Sequence, residues 1–142
     1  MKVKDIMTRQ VVSVSQNSTL GEVATEMKNL NVGSLPVCDN NSSILGIITD
    51  RDMVVRGLIQ GYTNQSIVRD VMTTNPITVT PDTDVSEVTE LMAQNQIRRI
   101  PVVEGGTLVG IVSIGDVAVR DSFVEEAGNA LSDISEPSRP NI

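Results

Sequence analysis

Two short stretches carry the residues best suited to chemistry. "GIITDRD", Gly46 to Asp52, returns as "GIVSIGD", Gly110 to Asp116, each with a hydroxyl residue three positions ahead of an aspartate at the end of an apolar run. Two readings are open for Thr49 with Asp52 and for Ser113 with Asp116. Ser or Thr followed three residues later by an acid is the pattern of a helix start, where the hydroxyl caps an orphan N–H and the carboxylate reaches back. The same pair at a helix N-terminus can also grip a sugar diol and an anion, because the carboxylate accepts from hydroxyls and the helix end favours negative charge.

The residues around the motifs differ. Asp50 and Arg51 lie inside the first, Ile114 and Gly115 inside the second, which leaves the second open. Arg98 and Arg99 stand just ahead of Ile100 and Pro101, where the corresponding place has Gly33 and Ser34 ahead of Leu35 and Pro36. A basic pair of this kind is a solvated face or, beside a cleft, a clamp for phosphate.

Composition removes most catalytic classes. The 142 residues contain no His, which excludes His-based acid–base chemistry, Ser-His activation and His metal sites. One cysteine, Cys38, rules out a thiolate zinc cluster and an internal disulfide, and within "SLPVCD" it reads as a small buried hydrophobe. Neither a P-loop nor a dinucleotide fingerprint is present, "VEGGTLVG" being a turn. Asp5, Asp70, Asp82 and Asp84 read as caps and turn formers, so no enzyme, no metal site and no catalytic residue are expected. A net charge of −7 disfavours nucleic acid and anionic membrane surfaces. Tyr62 and Phe123 are the only aromatic residues, so a bound base must sit between aliphatic walls. "MKVKDIMTRQ" lacks the apolar region of a signal peptide and no apolar run reaches membrane-spanning length, so a cytoplasmic protein is expected.

The elements that must position the motifs come as a repeat. "DIMTRQVVSVSQNSTLGEVATEM" from Asp5 aligns with "DVMTTNPITVTPDTDVSEVTELM" from Asp70, and Pro36 meets Pro101 in the same register. The register slips by one between "CDNNSSILG" and "VEGGTLVG", where a tight turn is expected, so that Gly46 meets Gly110. Each repeat reads as strand, helix, strand, strand, helix, with first strands at "VVSV" and "ITV". Thr19 with Glu22 and Asp84 with Glu87 predict two capping boxes, and Leu20, Val23, Met27 and Leu30 predict one buried helical face. "DSFVEEAGNALSDI" predicts a terminal helix with Phe123, Val124, Ala127 and Leu131 on one side, and "EPSRPNI" predicts a disordered tail. The expected fold is thus α/β (α+β): two β-α-β-β-α repeats, residues 1–62 and 63–122, packed about a pseudo-two-fold axis with clefts between them, and a C-terminal segment 123–142.

The "DIMT" and "DVMT" openings, the "LPV" and "IPV" strands and the two endings of glycine, two apolar residues, Ser or Thr, two residues and Asp resemble a tandem pair of cystathionine-β-synthase (CBS) domains, a Bateman module. The resemblance covers about residues 2 to 122. It implies a stand-alone regulatory module that binds an adenosyl ligand, AMP, ADP or ATP, in the cleft between repeats and signals through an unknown partner or its own homodimer. Carried over residue by residue, it places the ribose on Thr49 with Asp52 or on Ser113 with Asp116. The adenine would lie near Val11 and Val12 or Asn75, Pro76 and Ile77, and against Leu35 with Pro36 or Ile100 with Pro101. Arg98 and Arg99 would meet phosphate. Two other readings stand beside this one: a ligand-independent scaffold that keeps only the caps, and a sensor of S-adenosylmethionine, NAD or a metal ion.

Overall fold

Alternating apolar residues, punctuated by caps and tight turns, build a mixed α/β chain, seen in a computed structural model that describes residues 1–136, the side chain of Asp121 excepted. The tail expected to be disordered lies outside the described residues from Pro137 onward. No helix among those described is long and apolar enough to cross a membrane. The chain divides into two compact units, one of Val12–Pro76 with Gly106–Leu108 and the other of Met1–Val11, Ile77–Gly105 and Val109 onward.

The unit of the first repeat holds a four-stranded sheet in the order β1-β2-β3-β4. β1 (Val14–Ser15) runs parallel to β2 (Ser34–Cys38), with Val14 opposite Val37. β2 runs antiparallel to β3 (Ile44–Thr49), with Ser34 opposite Thr49. β3 runs antiparallel to β4 (Thr73–Thr74), with Gly46 opposite Thr74. Helix α1 (Leu20–Leu30) starts where the Glu22 N–H donates to Thr19 Oγ1 at 3.1 Å and stops at Asn31, whose left-handed φ of 55° is a common helix C-terminus for Asn. Leu20, Val23 and Met27 enter the core with Leu35, Val37, Ile48, Val68 and Met72, whereas Leu30 stays 40% exposed. Helix α2 (Asp50–Asp52) follows β3 directly and continues as a wider π-turn over Met53–Leu58.

The second repeat follows the same plan with different chain segments filling it. Helix α3 (Val85–Asn95) precedes β5 (Arg99–Glu104), β6 (Thr107–Ser113) and α4 (Ile114–Ala118), and β5 pairs with β6. The strand expected at "ITV" is a single parallel bridge from Val79 to Val102, and Thr8 bridges Ile111 where β4 pairs with β3 in the first unit. Residues 1–11 therefore belong to the unit of the second repeat, and residues 68–76 to that of the first. The expected cap at Asp84 is not made. Its carboxylate turns instead to the Lys2 ammonium at 2.9 Å, which holds the Asp84 pKa below the usual carboxylate range. Helix α5 (Val124–Ser135) packs on α3 through Ala127, Ala130 and Ile134, a stripe rotated from the expected one, so that Val124 and Leu131 face outward.

Two glycines make this plan possible. A Cβ at Gly46 would stand 2.5 Å from the Thr73 carbonyl oxygen and 2.9 Å from the Met72 sulfur; at Gly110 it would stand 3.0 Å from the Thr8 carbonyl oxygen and 2.7 Å from the Met7 sulfur. A thioether swings away more easily than backbone does. Gly46→Ala is therefore expected to cost more stability than Gly110→Ala, the first at or above the top of the roughly 1–3 kcal/mol range of overpacking and the second near its bottom. Urea denaturation of both variants checks the order, and equal costs would show that the backbone clash at Gly46 is relieved by movement.

Candidate functional site

Each motif lies where an apolar strand ends and a helix begins, and both make the reciprocal hydrogen bonds of a capping box. The Asp52 N–H donates to Thr49 Oγ1 at 3.0 Å, and the Thr49 N–H donates to Asp52 Oδ2 at 3.1 Å. The Asp116 N–H donates to Ser113 Oγ at 3.2 Å, and the Ser113 N–H donates to Asp116 Oδ2 at 2.9 Å. All four side chains are half-buried. The helix-start reading is thus realised at both motifs, and it consumes one carboxylate oxygen and leaves the other. A carboxylate has about four lone-pair sites, so Oδ1 of each aspartate keeps its accepting capacity.

The surroundings of those spare oxygens are unequal. Asp52 Oδ1 lies 4.0 Å from Arg56, whose guanidinium donates to Thr73 Oγ1 at 3.1 Å. Among the described residues no such cation faces Asp116. At the strand start, the Ile114 N–H donates to the Arg98 carbonyl at 2.9 Å, so the exposed side chains of Arg98 and Arg99 leave the backbone beside the Ser113 cap. The equivalent bond in the first repeat runs from the Asp50 N–H to the Gly33 carbonyl, also at 2.9 Å.

The other residues singled out by sequence divide between the units. With Thr49 and Asp52 fall the exposed Val12, the buried Leu35 and Pro36, the exposed Asn75 and the half-buried Pro76. With Ser113 and Asp116 fall Val11, Ile77, Arg98, Arg99 and the buried Ile100 and Pro101. The side chains of Leu35 and Ile100 sit inside the two cores, 3% and 0% exposed. Pro36 pairs with Ile47, and Ile47 with Thr73, so strand backbone runs unbroken beside the first motif. Asn75 takes a left-handed φ of 51°, a conformation that Asn tolerates better than most residues. Cys38 is buried at the end of β2, and burial pushes its thiol pKa up, which keeps it unreactive.

Arg56 and the Gly33–Asp50 backbone bond are the parts of this arrangement that reading the sequence missed. An i, i+4 spacing from Asp52 to Arg56 was visible in "DRDMVVR", but nothing in the sequence paired Asp50 with Gly33.

The family model described as CBS domain matches residues 3–57 and 68–121. The CBS domain-containing protein YhcV of Bacillus subtilis is 45% identical over 94% of this chain and 94% of its own. Among solved structures, the CBS domain protein PAE2072 from Pyrobaculum aerophilum, complexed with AMP, shares 26% identity with a TM-score of 0.79, covering 91% of this chain and 99% of that one. The CBS domain pair of protein MJ0100, in complex with 5′-methylthioadenosine and S-adenosyl-L-methionine, shares 31% identity with a TM-score of 0.74 over 83% of this chain and 93% of that one.

The caps themselves are testable. Thr49→Ala and Ser113→Ala each remove the acceptor for an N–H in a first helical turn, so each is expected to lower the unfolding free energy by about 0.5–2 kcal/mol. Denaturant titration of the two variants measures this, and a cost near zero at either would show that water replaces the hydroxyl.

Proposed function

The chain belongs to the CBS-domain family, and from that premise we propose that it is a regulatory module whose Ser113 and Asp116 grip the ribose of an adenine nucleotide, AMP, ADP or ATP. The observation that carries this reading is the arrangement at the second motif: a capping carboxylate with one oxygen unused, and Arg98 anchored by its own carbonyl to the first residue of α4. Asp116 Oδ1 would accept from the ribose diol while Arg98 and Arg99 neutralise phosphate, and strand backbone would read the adenine edge. Thr49 and Asp52 would offer the same grip to a second ligand. The AMP held by PAE2072 supports the ligand class.

No enzymatic step is assigned to the chain, a reading supported by its lack of His and by a single buried, unreactive cysteine. The chain would work in the cytoplasm as a sensor that signals through a partner or through a second copy of itself. Val54, Val55, Leu58 and Ile59 on and just after the π-turn Met53–Leu58 are 54%, 43%, 66% and 78% exposed, an apolar face suited to self-association. Light scattering is expected to return a dimer at micromolar concentration, and a mass near the 15.3 kDa of one chain throughout that range would refute the assembly.

One observation favours a rival reading, a scaffold that keeps only the caps: both capping boxes are complete without any ligand. Asp116→Asn separates the two. Asn keeps an oxygen for the Ser113 N–H, loses the charge and turns the spare acceptor into an NH2 donor; loss of the charge weakens the helix-end interaction by about 0.3–1 kcal/mol. Wild type with AMP at a hundred times its Kd gains about 2.7 kcal/mol, a melting shift on the order of several degrees. Asp116→Asn is expected to melt near wild type without AMP and to lose most of that shift with it. A wild type that AMP does not shift would leave the scaffold reading standing.

A further inference from the structure

We propose that the two motifs differ in the ligand charge they accept: the Ser113 motif takes a nucleoside bearing phosphate, and the Thr49 motif takes one whose 5′ substituent is uncharged or cationic. The inference rests on the adenosyl reading above and deepens it.

The repeats superimpose their backbone bonds at this point, so their side chains can be compared place by place. Gly33 accepts from the Asp50 N–H as Arg98 accepts from the Ile114 N–H. The cation of the second motif thus has no side chain at all in the first, and the apolar Ile114 is replaced by a carboxylate. That carboxylate fills the vacated place: Asp50 Oδ2 stands 3.1 Å from where a Gly33 Cβ would be, the point from which the Arg98 side chain departs in the other repeat. It is also held there, because the Arg51 N–H donates to Asp50 Oδ1 at 2.8 Å.

The neighbouring charges point the same way. Asp50, Arg51, Asp52 and Arg56 set two cations against two carboxylates, and Arg56 leans on Thr73 and Asp52. The matching places of the second motif hold three cations, Arg98, Arg99 and Arg120, and one carboxylate, Asp116. Phosphate approaching the first motif along the line it takes in the second would meet a carboxylate beside the Gly33 backbone and no arginine side chain departing from it. Like charge placed at that point rejects one ligand class while leaving the ribose grip intact. A thioether loses nothing there, and a sulfonium gains an ion pair.

Calorimetry on the full chain tests this with AMP and 5′-methylthioadenosine as probes. In the Asp116→Asn protein, which leaves the first motif as the working one, 5′-methylthioadenosine is expected to bind about tenfold or more tighter than AMP. Adding Asp50→Asn should bring the two within about threefold by strengthening AMP, and adding Asp52→Asn should remove the heat of 5′-methylthioadenosine. Competition on the wild-type chain, with the second motif saturated by AMP, reads the same preference without relying on how Asp116→Asn folds. AMP binding the first motif as tightly as 5′-methylthioadenosine, or an unchanged ratio in Asp50→Asn, overturns this inference alone. Wild type giving heat with neither probe overturns it together with the reading it rests on.

Discussion

The close approach of a short strand to a glycine is the constraint on which the rest of the structure depends. β4 can pair with β3 because Gly46 has no side chain to hold Thr73 away, and the equivalent bridge from Thr8 to Ile111 runs past Gly110. Those pairings fix the strands whose last residues are Thr49 and Ser113. The strand ends then fix where a helix must start. Motif geometry is thus inherited from a backbone contact several residues upstream, and the chain that makes the contact comes from the other half of the sequence in both units.

That exchange explains why the repeats cannot be taken as two self-contained modules of consecutive residues. Val3, Ile6 and Met7 pack with Val85, Val88 and Val112, while Val68, Val71 and Met72 pack with Val23, Val37 and Ile48. Each segment supplies buried residues that are 0% to 8% exposed, or Met7 packed against them, to a core made otherwise from the other repeat. Removing either segment would open a core, which is a far larger disturbance than shortening a surface tail.

The repeat, the helix starts at Thr49 and Ser113 and the mixed α/β class were legible because each depends on short spacings: 65 residues between copies, three between hydroxyl and acid, three and four along α1. What was not legible depends on partners distant in sequence. Asp84 has the spacing of a cap, but a Lys2 ammonium 2.9 Å away competes for its carboxylate, and nothing near Asp84 announces that. Of the expected α5 stripe, Ala127 is buried and Phe123 packs against the core, but close packing on α3 selects the small Ala130, and Ile134, beside Ala127 and leaves the larger Val124 and Leu131 outside. Small side chains let two helix backbones approach, and size alone is a poor guide to which face turns inward. At the motifs, sequence showed which residues differ between copies but not that Asp50 occupies the space above Gly33.

Capping and ligand binding are not exclusive at one aspartate, because the cap leaves a carboxylate oxygen over. The carboxylate that closes a capping box uses Oδ2 alone, so the helix start holds the aspartate's position and rotamer without exhausting its acceptors. A hydroxyl-bearing ligand would meet a group already oriented, with little side-chain freedom left to lose on binding. The cap is then the positioning device for whatever the spare oxygen does. What each motif does with that oxygen is decided around the cap: by Arg56, 4.0 Å from one aspartate, and by an exposed arginine pair at the start of the strand that leads toward the other.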